Sequence, residues 1–507
     1  MTLSHLVLIA GYLLNLVLIV FILFFEEHDA NQRISWLLLV SFIPVAGPFL
    51  YILFSGNFFT RTKRMLRATK RANIYYEKML LEQQQNLDSL IKAGGNQGLE
   101  DYGSLIHMNI GYAKSPVYGD NTVYIFKNGK EKYQSLFTEL QQAKESIHLS
   151  YFIINNDETG KKLIRILTQK VKEGVAVRLL YDHLGSFLTS SRLFKPLKRV
   201  GGRVSRFFPV SLLYPFSINY RNHRKIVVID GHVGYFGGMN IGDEYANINH
   251  ARKYYWRDTH IRITGPAVQI LQKQFLVDWY TSTANDTDVL EDIPESRFFP
   301  YTYQDTQPEN CTTTCTHIPE DRRCEHVPIQ IVTAGPDDAR NDEIRDAMIR
   351  MITSAKKSVY IESPYFTPDV AFFTALKIAS LSGIDVRVII PGTWDKWYVR
   401  LAAMPYISEL LSYGVKFWQY PGFIHSKMLI TDGVLATIGS TNMDTRSFSL
   451  HFELNAFFYS IEFGKKCTRL FYADQKISEP FTAEWFANIS IFRKAAWNFF
   501  RLFAPLM

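Results

Sequence analysis

The chain has 507 residues, 47% of them apolar and 14% aromatic, which excludes a disordered polymer and allows more than one buried core. A net charge of +8 and an isoelectric point near 9.0 favour anionic partners, whether nucleic acid, phosphorylated metabolites or an acidic membrane. Cysteine is sparse, with Cys311, Cys315 and Cys324 grouped and Cys467 apart, so a disulfide scaffold is excluded and a reducing compartment fits.

Residues 1–58 read as a membrane anchor with two hydrophobic segments. Leu6 to Phe25 is an uncharged run long enough to cross a hydrocarbon core, and it lacks the basic start and cleavage site of a signal peptide. In the second run, Ile34 to Phe54, Pro44, Gly47 and Pro48 either kink a spanning helix or fold it into a re-entrant hairpin; a full span is the reading adopted. Glu26, Glu27, His28, Asp29 and Arg33 form a short polar loop between the runs, whereas Arg61, Lys63, Arg64, Arg67, Lys70 and Arg71 crowd the exit of the second. Positive residues stay inside, so the N-terminus and everything after about residue 56 are expected in the cytoplasm.

Residues 59–110 follow as a charged helical linker, broken by the glycines between Ala93 and Gly98. From 111 to 284, β-rich runs alternate with helical ones: Thr122 to Lys127, Ser146 to Ile154, a helix from Gly160 to Glu173, then Ala176 to Tyr181. That order predicts an α/β sheet flanked by helices. It returns in 328–507, where AKESIHLSYF is echoed by AKKSVYIESPYF and GVAVRLLYD by GIDVRVIIP, so the domain is duplicated. Residues 285–327 between the copies read as a linker. There Cys311, Cys315, His317, Cys324 and His326 are spaced too irregularly to predict a zinc site. At the C-terminal end, Trp485 to Phe503 mixes aromatic residues with Arg493, Lys494 and Arg501, as an interfacial amphipathic helix does.

The strongest signal is HRKIVVIDGHVGYFGGMN, from His223 to Asn240, set beside HSKMLITDGVLATIGSTN, from His425 to Asn442. One constant offset aligns His223 with His425, Lys225 with Lys427, Asp230 with Asp432 and Asn240 with Asn442. The candidate catalytic set is therefore His223, Lys225, Asp230, His425, Lys427 and Asp432. Side chains alternate along a strand, so His223 and Lys225 share a face, as do His425 and Lys427. Asp230 and Asp432 have the opposite parity and begin Asp-Gly pairs, the signature of two-residue hairpins, so they are expected to hold turns. That register lays Gly238 opposite His223 and Asn240 beside it, with Ser440 and Asn442 beside His425, as candidate substrate contacts. Two such edges facing across a pseudo-twofold axis would surround one phosphorus with two imidazoles, two ammoniums and two amides. One histidine attacks to form a phosphohistidine, the other protonates the leaving alcohol, and the lysines and asparagines neutralise the charge. No metal or cofactor is needed.

The paired H-x-K-x4-D-x6-G-x2-N arrangement resembles the phospholipase D superfamily, and within it the bacterial cardiolipin synthases. The likeness extends over nearly the whole chain, through WLLLVSFIPVAGPFLYILFSGN, QIVTAGPD and the closing APLM. It implies a duplicated phospholipase D-like α/β domain, with mixed sheets and pseudo-twofold symmetry, behind two transmembrane helices of a multi-pass protein in a bacterial cell membrane. It implies transfer of a phosphatidyl group between two phosphatidylglycerol molecules, giving cardiolipin and glycerol. It also implies that an acidic residue after each motif orients an imidazole, Asp258 in YWRDTHIRI and Glu453 in HFELNAFF, and it leans towards His223 as nucleophile. Gly238 departs from the second copy, which has Ser440. The competing readings are a membrane-bound hydrolase of the same site, a nuclease, and an inactive scaffold. Two membrane segments and the lack of an aromatic and basic ladder speak against nucleic acid.

Overall fold

The computed structural model describes residues 3–25, 30–43, 46–55, 102–209, 220–248, 254–283, 320–336 and 342–504, with isolated positions elsewhere. The basic cluster at 61–71, the glycine break at 93–98, and Cys311, Cys315 and His317 lie outside the described residues. Of the remaining linker ligands, Cys324 is buried with its thiol against Glu462, and His326 pairs with Asp120.

The first repeat supplies β1 (Val117–Phe126), β2 (Ser146–Tyr151), β3 (Ala176–Asp182), β4 (Arg203–Phe207), β5 (Ile226–Ile229), β6 (Val233–Gly237), β7 (Trp256–Arg257) and β8 (His260–Thr264). The second supplies β9 (Arg323–Ala334), β10 (Ser358–Glu362), β11 (Phe366–Thr367), β12 (Asp385–Pro391), β13 (Lys416–Tyr420), β14 (Phe423–Ile424), β15 (Met428–Thr431), β16 (Leu435–Gly439), β17 (Met443–Asp444), β18 (Glu453–Tyr459) and β19 (Glu479–Pro480). The strand β9 thus begins inside the segment that the sequence reads as linker.

Among the described residues, one sheet of fifteen strands runs through both repeats, in the order β19-β13-β12-β10-β15-β16-β18-β9-β1-β8-β6-β5-β2-β3-β4. The order outward from β1 (8, 6, 5, 2, 3, 4) is repeated outward from β9 (18, 16, 15, 10, 12, 13), so the duplication is a mirror of connectivity about the antiparallel β1/β9 pair. Where separate sheets were expected, the halves share one. Strands β2, β5, β6, β15, β16 and β18 are buried along their whole length, because helices cover both faces of the sheet. Such strands read as unbroken apolar runs, as Ile226–Ile229 does.

Before the sheet come α1 (Leu3–Phe24), α2 (Ala30–Phe42) and α3 (Ala46–Phe54). The second hydrophobic run is not the single span expected. Its helices have 13 and 9 residues, each short of the ~20 needed to cross a bilayer. They fold back on each other, with Trp36 packed edge-on against Tyr51 at 5.3 Å between ring centroids, a pair that a straight helix would hold roughly 22 Å apart. Gly47 permits the approach, since a Cβ there would lie 2.8 Å from the Val40 Cα. Among the described residues no helix is long and apolar enough to cross a membrane.

The C-terminal helix Ile491–Arg501 buries Trp497 and leaves Ile491, Phe492 and Phe499 exposed. It packs on the helix Trp397–Ser412 through Phe500 against Trp397 and through Arg501 paired with Glu409 at 3.0 Å. The Ser35 hydroxyl of α2 donates to the Leu502 carbonyl at 2.6 Å.

Candidate active site

Each motif runs into the hairpin at the middle of its repeat's half of the sheet, β5/β6 in the first and β15/β16 in the second. Ile229 pairs with Val233 and Thr431 with Leu435, so both turns contain three residues, not two. Asp230 and Gly231 adopt φ of 52° and 71°, Asp432 and Gly433 of 55° and 67°, the left-handed region that Asp and Gly tolerate best. The extra turn residue slides the returning strand by one position relative to the expected register.

Asp230 accepts from the backbone N–H groups of Lys144, Glu145 and Ser146, each at 2.8 Å. Asp432 repeats the arrangement with Lys356, Lys357 and Ser358 at 2.8, 2.7 and 2.9 Å. These carboxylates clamp the start of β2 and β10 to the turn. At ~3.3 Å per residue they sit roughly 20 Å along the chain from the histidines, so their inclusion with the catalytic residues is corrected to a structural role.

The histidines are held across the repeats. The His223 N–H donates to Phe452 O at 3.0 Å and the His425 N–H to Arg257 O at 2.6 Å. Each imidazole thereby meets the acid of the other repeat. His223 Nδ1 lies 2.9 and 3.1 Å from the two Glu453 oxygens and 3.1 Å from the Ser440 carbonyl. His425 Nδ1 lies 2.7 Å from Asp258 Oδ2 and 3.0 Å from Lys427 Nζ. Lys225 and Lys427 each donate to the carbonyl of the histidine two residues before, at 2.6 Å.

Burial, then the charges of Lys225, Lys427 and His425, push His223 well below the usual imidazole range; burial, then Lys427 and Lys225, does the same to His425. Each imidazole feels the lysine of the other repeat, as two halves of one site must. Desolvation lowers Lys225 to about 7 against the pull of Glu453, and Lys427 to about 8 against that of Asp258. Burial lifts Asp258 to about 6, opposed chiefly by Lys427.

The other sequence candidates stand around this cluster in altered roles. Ser440, expected beside His425, is beside His223 and donates its hydroxyl to Glu453. Gly238 is not opposite His223: a Cβ there would collide with Asp258 Oδ1. The difference between the copies thus serves the carboxylates, one given room and the other a donor. Asn240 accepts from Ile153 N at 3.1 Å and donates to Tyr245 Oη at 3.0 Å, while Asn442 donates to Ser447 Oγ at 3.2 Å and leaves a buried Oδ1 without a partner. Both amides therefore brace the loops that follow them.

A family profile described as "cardiolipin synthase, PLD-like domain" matches residues 136–279 and 348–475, one match per repeat, and a phospholipase D-nuclease N-terminal profile matches 13–56. The major cardiolipin synthase of Bacillus subtilis is 39% identical over all of both chains, and a cardiolipin synthase of Listeria monocytogenes is 36% identical over 98% of each. The chain belongs to the cardiolipin synthase family of phospholipase D-like proteins. A phosphatidylserine synthase of Haemophilus influenzae shares its fold, with a TM-score of 0.56 at 12% identity over 76% of this chain and 93% of that one.

Several residues of this family member's site were not singled out in the sequence as site residues. Phe152 sets its ring edge-on to His223 at 5.1 Å and lies under Lys225 Nζ at 5.5 Å. Trp256 and Phe423 pack on His425 at 5.0 and 5.7 Å, and His451 faces His223 at 5.7 Å. The repeated YF of the two echoed segments was the one available signal, and it marked Phe152. Donor atoms of His223, His451 and Glu453 lie within 4.8 Å of one another, close enough to hold a metal, but Lys225 and Lys427 oppose a cation there.

Proposed function

We propose that the chain is a cardiolipin synthase: a phosphatidyltransferase that joins two phosphatidylglycerol molecules through a phosphohistidine and releases glycerol. The observation that carries this reading is the exchange of acids between repeats, which brings two buried imidazoles and two lysines to one site. Both groups nearest His223 Nδ1, a carboxylate and a carbonyl, only accept, so that nitrogen carries the proton and Nε2 keeps its lone pair. His425 Nδ1 instead lies between a carboxylate and an ammonium. His223 is therefore the nucleophile and His425 the acid.

In the first step His223 Nε2 bonds to phosphorus, the P–O bond to the glycerol headgroup breaks, and His425 gives that oxygen its proton. Burial and then the lysine charges hold His425 down, and the anionic diester offsets the lysine part, so in this reading His425 takes up its proton from solvent as the substrate binds. In the second step a hydroxyl of the acceptor phosphatidylglycerol loses its proton to His425 and attacks phosphorus, and the P–N bond returns its electrons to His223. Asn240 and Asn442 act in this reading through the loops they brace beside the histidines, the first tied to Ile153 and Tyr245 and the second to Ser447.

The functional division is an anchor at 1–58, a connector at 59–110, a first repeat at 111–284, a linker from 285, and a second repeat that starts with β9 at Arg323 in place of the expected 328. The exposed apolar side chains of α1, among them Leu13, Leu16, Val17 and Phe24, support seating in a bacterial cell membrane, with the repeats on the cytoplasmic side. Nucleic acid is not a substrate in this reading. Incubation of the purified chain with vesicles of labelled phosphatidylglycerol tests it: a diphosphatidyl product with free glycerol is expected, and phosphatidic acid alone makes the chain a hydrolase.

A further inference from the structure

The two repeats do not present the same residue at the place two positions before each acid. In the first repeat that place is Trp256, before Asp258, and its indole packs on His425 at 5.0 Å. In the second it is His451, before Glu453, and its ring lies 5.7 Å from that of His223, tilted by 42°. The sheet order superposes the two places, so the substitution is a difference in chemistry at one position of a shared frame. An indole only donates a hydrogen bond, whereas a neutral imidazole donates from one nitrogen and accepts at the other.

Three features mark His451 as more than packing. Its Nδ1 is buried and faces the Glu453 carboxylate, 3.7 Å from Oε1, which turns the other ring nitrogen away from that acid. Its side chain keeps 16% exposure, more than the 10% of His223 and the 8% of His425, and with Nδ1 covered that opening lies on the rest of the ring. Burial pushes it down to about 3, against the pull of Glu453, so it is neutral throughout the working range.

We propose that His451 is a third imidazole that touches substrate, hydrogen-bonding the hydroxyl adjacent to the attacking one on a polyol headgroup and favouring that alcohol over water at the phosphohistidine. This rests on the synthase reading above and specifies its acceptor. The acceptor hydroxyl forms the new P–O bond, the P–N bond to His223 breaks with its electron pair, and the proton goes to His425. His451 forms and breaks no covalent bond. Its accepting nitrogen takes the O–H of the neighbouring carbon, which water and simple alcohols lack. Trp256, a donor only, cannot serve the corresponding place, so the preference belongs to the His223 side.

The test uses the full chain in phosphatidylglycerol vesicles, as wild type, His451→Phe and His451→Gln. The readouts are the ratio of diphosphatidyl product to phosphatidic acid, and the competition between added glycerol and added ethanol for the phosphatidyl group. His451→Phe is expected to lower the first ratio and the glycerol preference by about fivefold, the size of one hydrogen bond, while His451→Gln, which keeps an acceptor, holds both within about twofold. Ratios that do not move in His451→Phe overturn the proposal, as does His451→Gln losing them equally, which marks a packing role. A wild-type chain that makes only phosphatidic acid overturns the synthase reading itself, and that arm is read before any variant is compared.

Discussion

The two halves of the site use one backbone plan with different side chains. The first repeat contributes His223, Gly238, Trp256 and Asp258; the second contributes His425, Ser440, His451 and Glu453. Because the acids are exchanged, the shorter Asp258 serves His425 from the link between β7 and β8, where Gly238 leaves it room, while the longer Glu453 serves His223 with a hydroxyl from Ser440. Symmetry of fold thus places the groups, and asymmetry of side chain is what the proposed division between nucleophile and acid rests on.

The sharpest way to break this division is to remove either imidazole. His223→Ala and His425→Ala are each expected to cut turnover by about a thousandfold or more, but only His223→Ala should abolish a labelled phosphoprotein trapped by acid quench. Equal labelling in the two variants would reverse or erase the assignment.

Next come the crossed acids. Glu453→Gln and Asp258→Asn are expected to cost on the order of a hundredfold each, through lost orientation of the imidazole. Glu453→Gln should add little to His223→Ala, and Asp258→Asn little to His425→Ala, in double-variant kinetics. Full additivity within those pairs would mean that the acids act elsewhere.

Gly238→Ser makes the first repeat resemble the second. Its Cβ meets Asp258, so a loss of about tenfold is expected, whereas Ser440→Ala removes one hydrogen bond to Glu453 and should cost only about fivefold. Comparable losses, with both proteins equally folded, would show that the carboxylates do not set the difference.

The smallest effect concerns pH. Lys225 and Lys427 lose their charge through about 7 and about 8 in the folded chain, well below their unfolded value. Phosphodiester affinity should therefore weaken severalfold as pH rises across that interval, seen as a rising KM. Stability of the unliganded chain should move the other way, because the unfolded state binds more protons between those values and about 10.5 and so loses ground as pH increases. A melting temperature that falls from pH 7 to 9 would contradict the buried ammoniums.

Much of this was legible from spacing alone. The constant offset between the motifs identified the duplication, and the parity of His223 with Lys225 put them on one face. Asp-Gly marked both turns, yet not their length, because the third residue, His232 or Val434, carries no turn signal. The crossing of Asp258 and Glu453 was not readable, since it depends on β1 pairing with β9 and no local pattern records which half a carboxylate will face. Pro44, Gly47 and Pro48 announced a break in the second hydrophobic run, but the fold-back rests on contact of Gly47 with Val40, a matter of shape. His451 was hidden as one more polar residue before a strand.

The bond from Ser35 to Leu502 joins the beginning of the polypeptide to its end. During synthesis that clasp waits until Leu502 has left the ribosome, so α2 stands without this partner while both repeats are being made. Truncation before Leu502 would therefore free α2 from this tether while leaving the strands of both repeats in place.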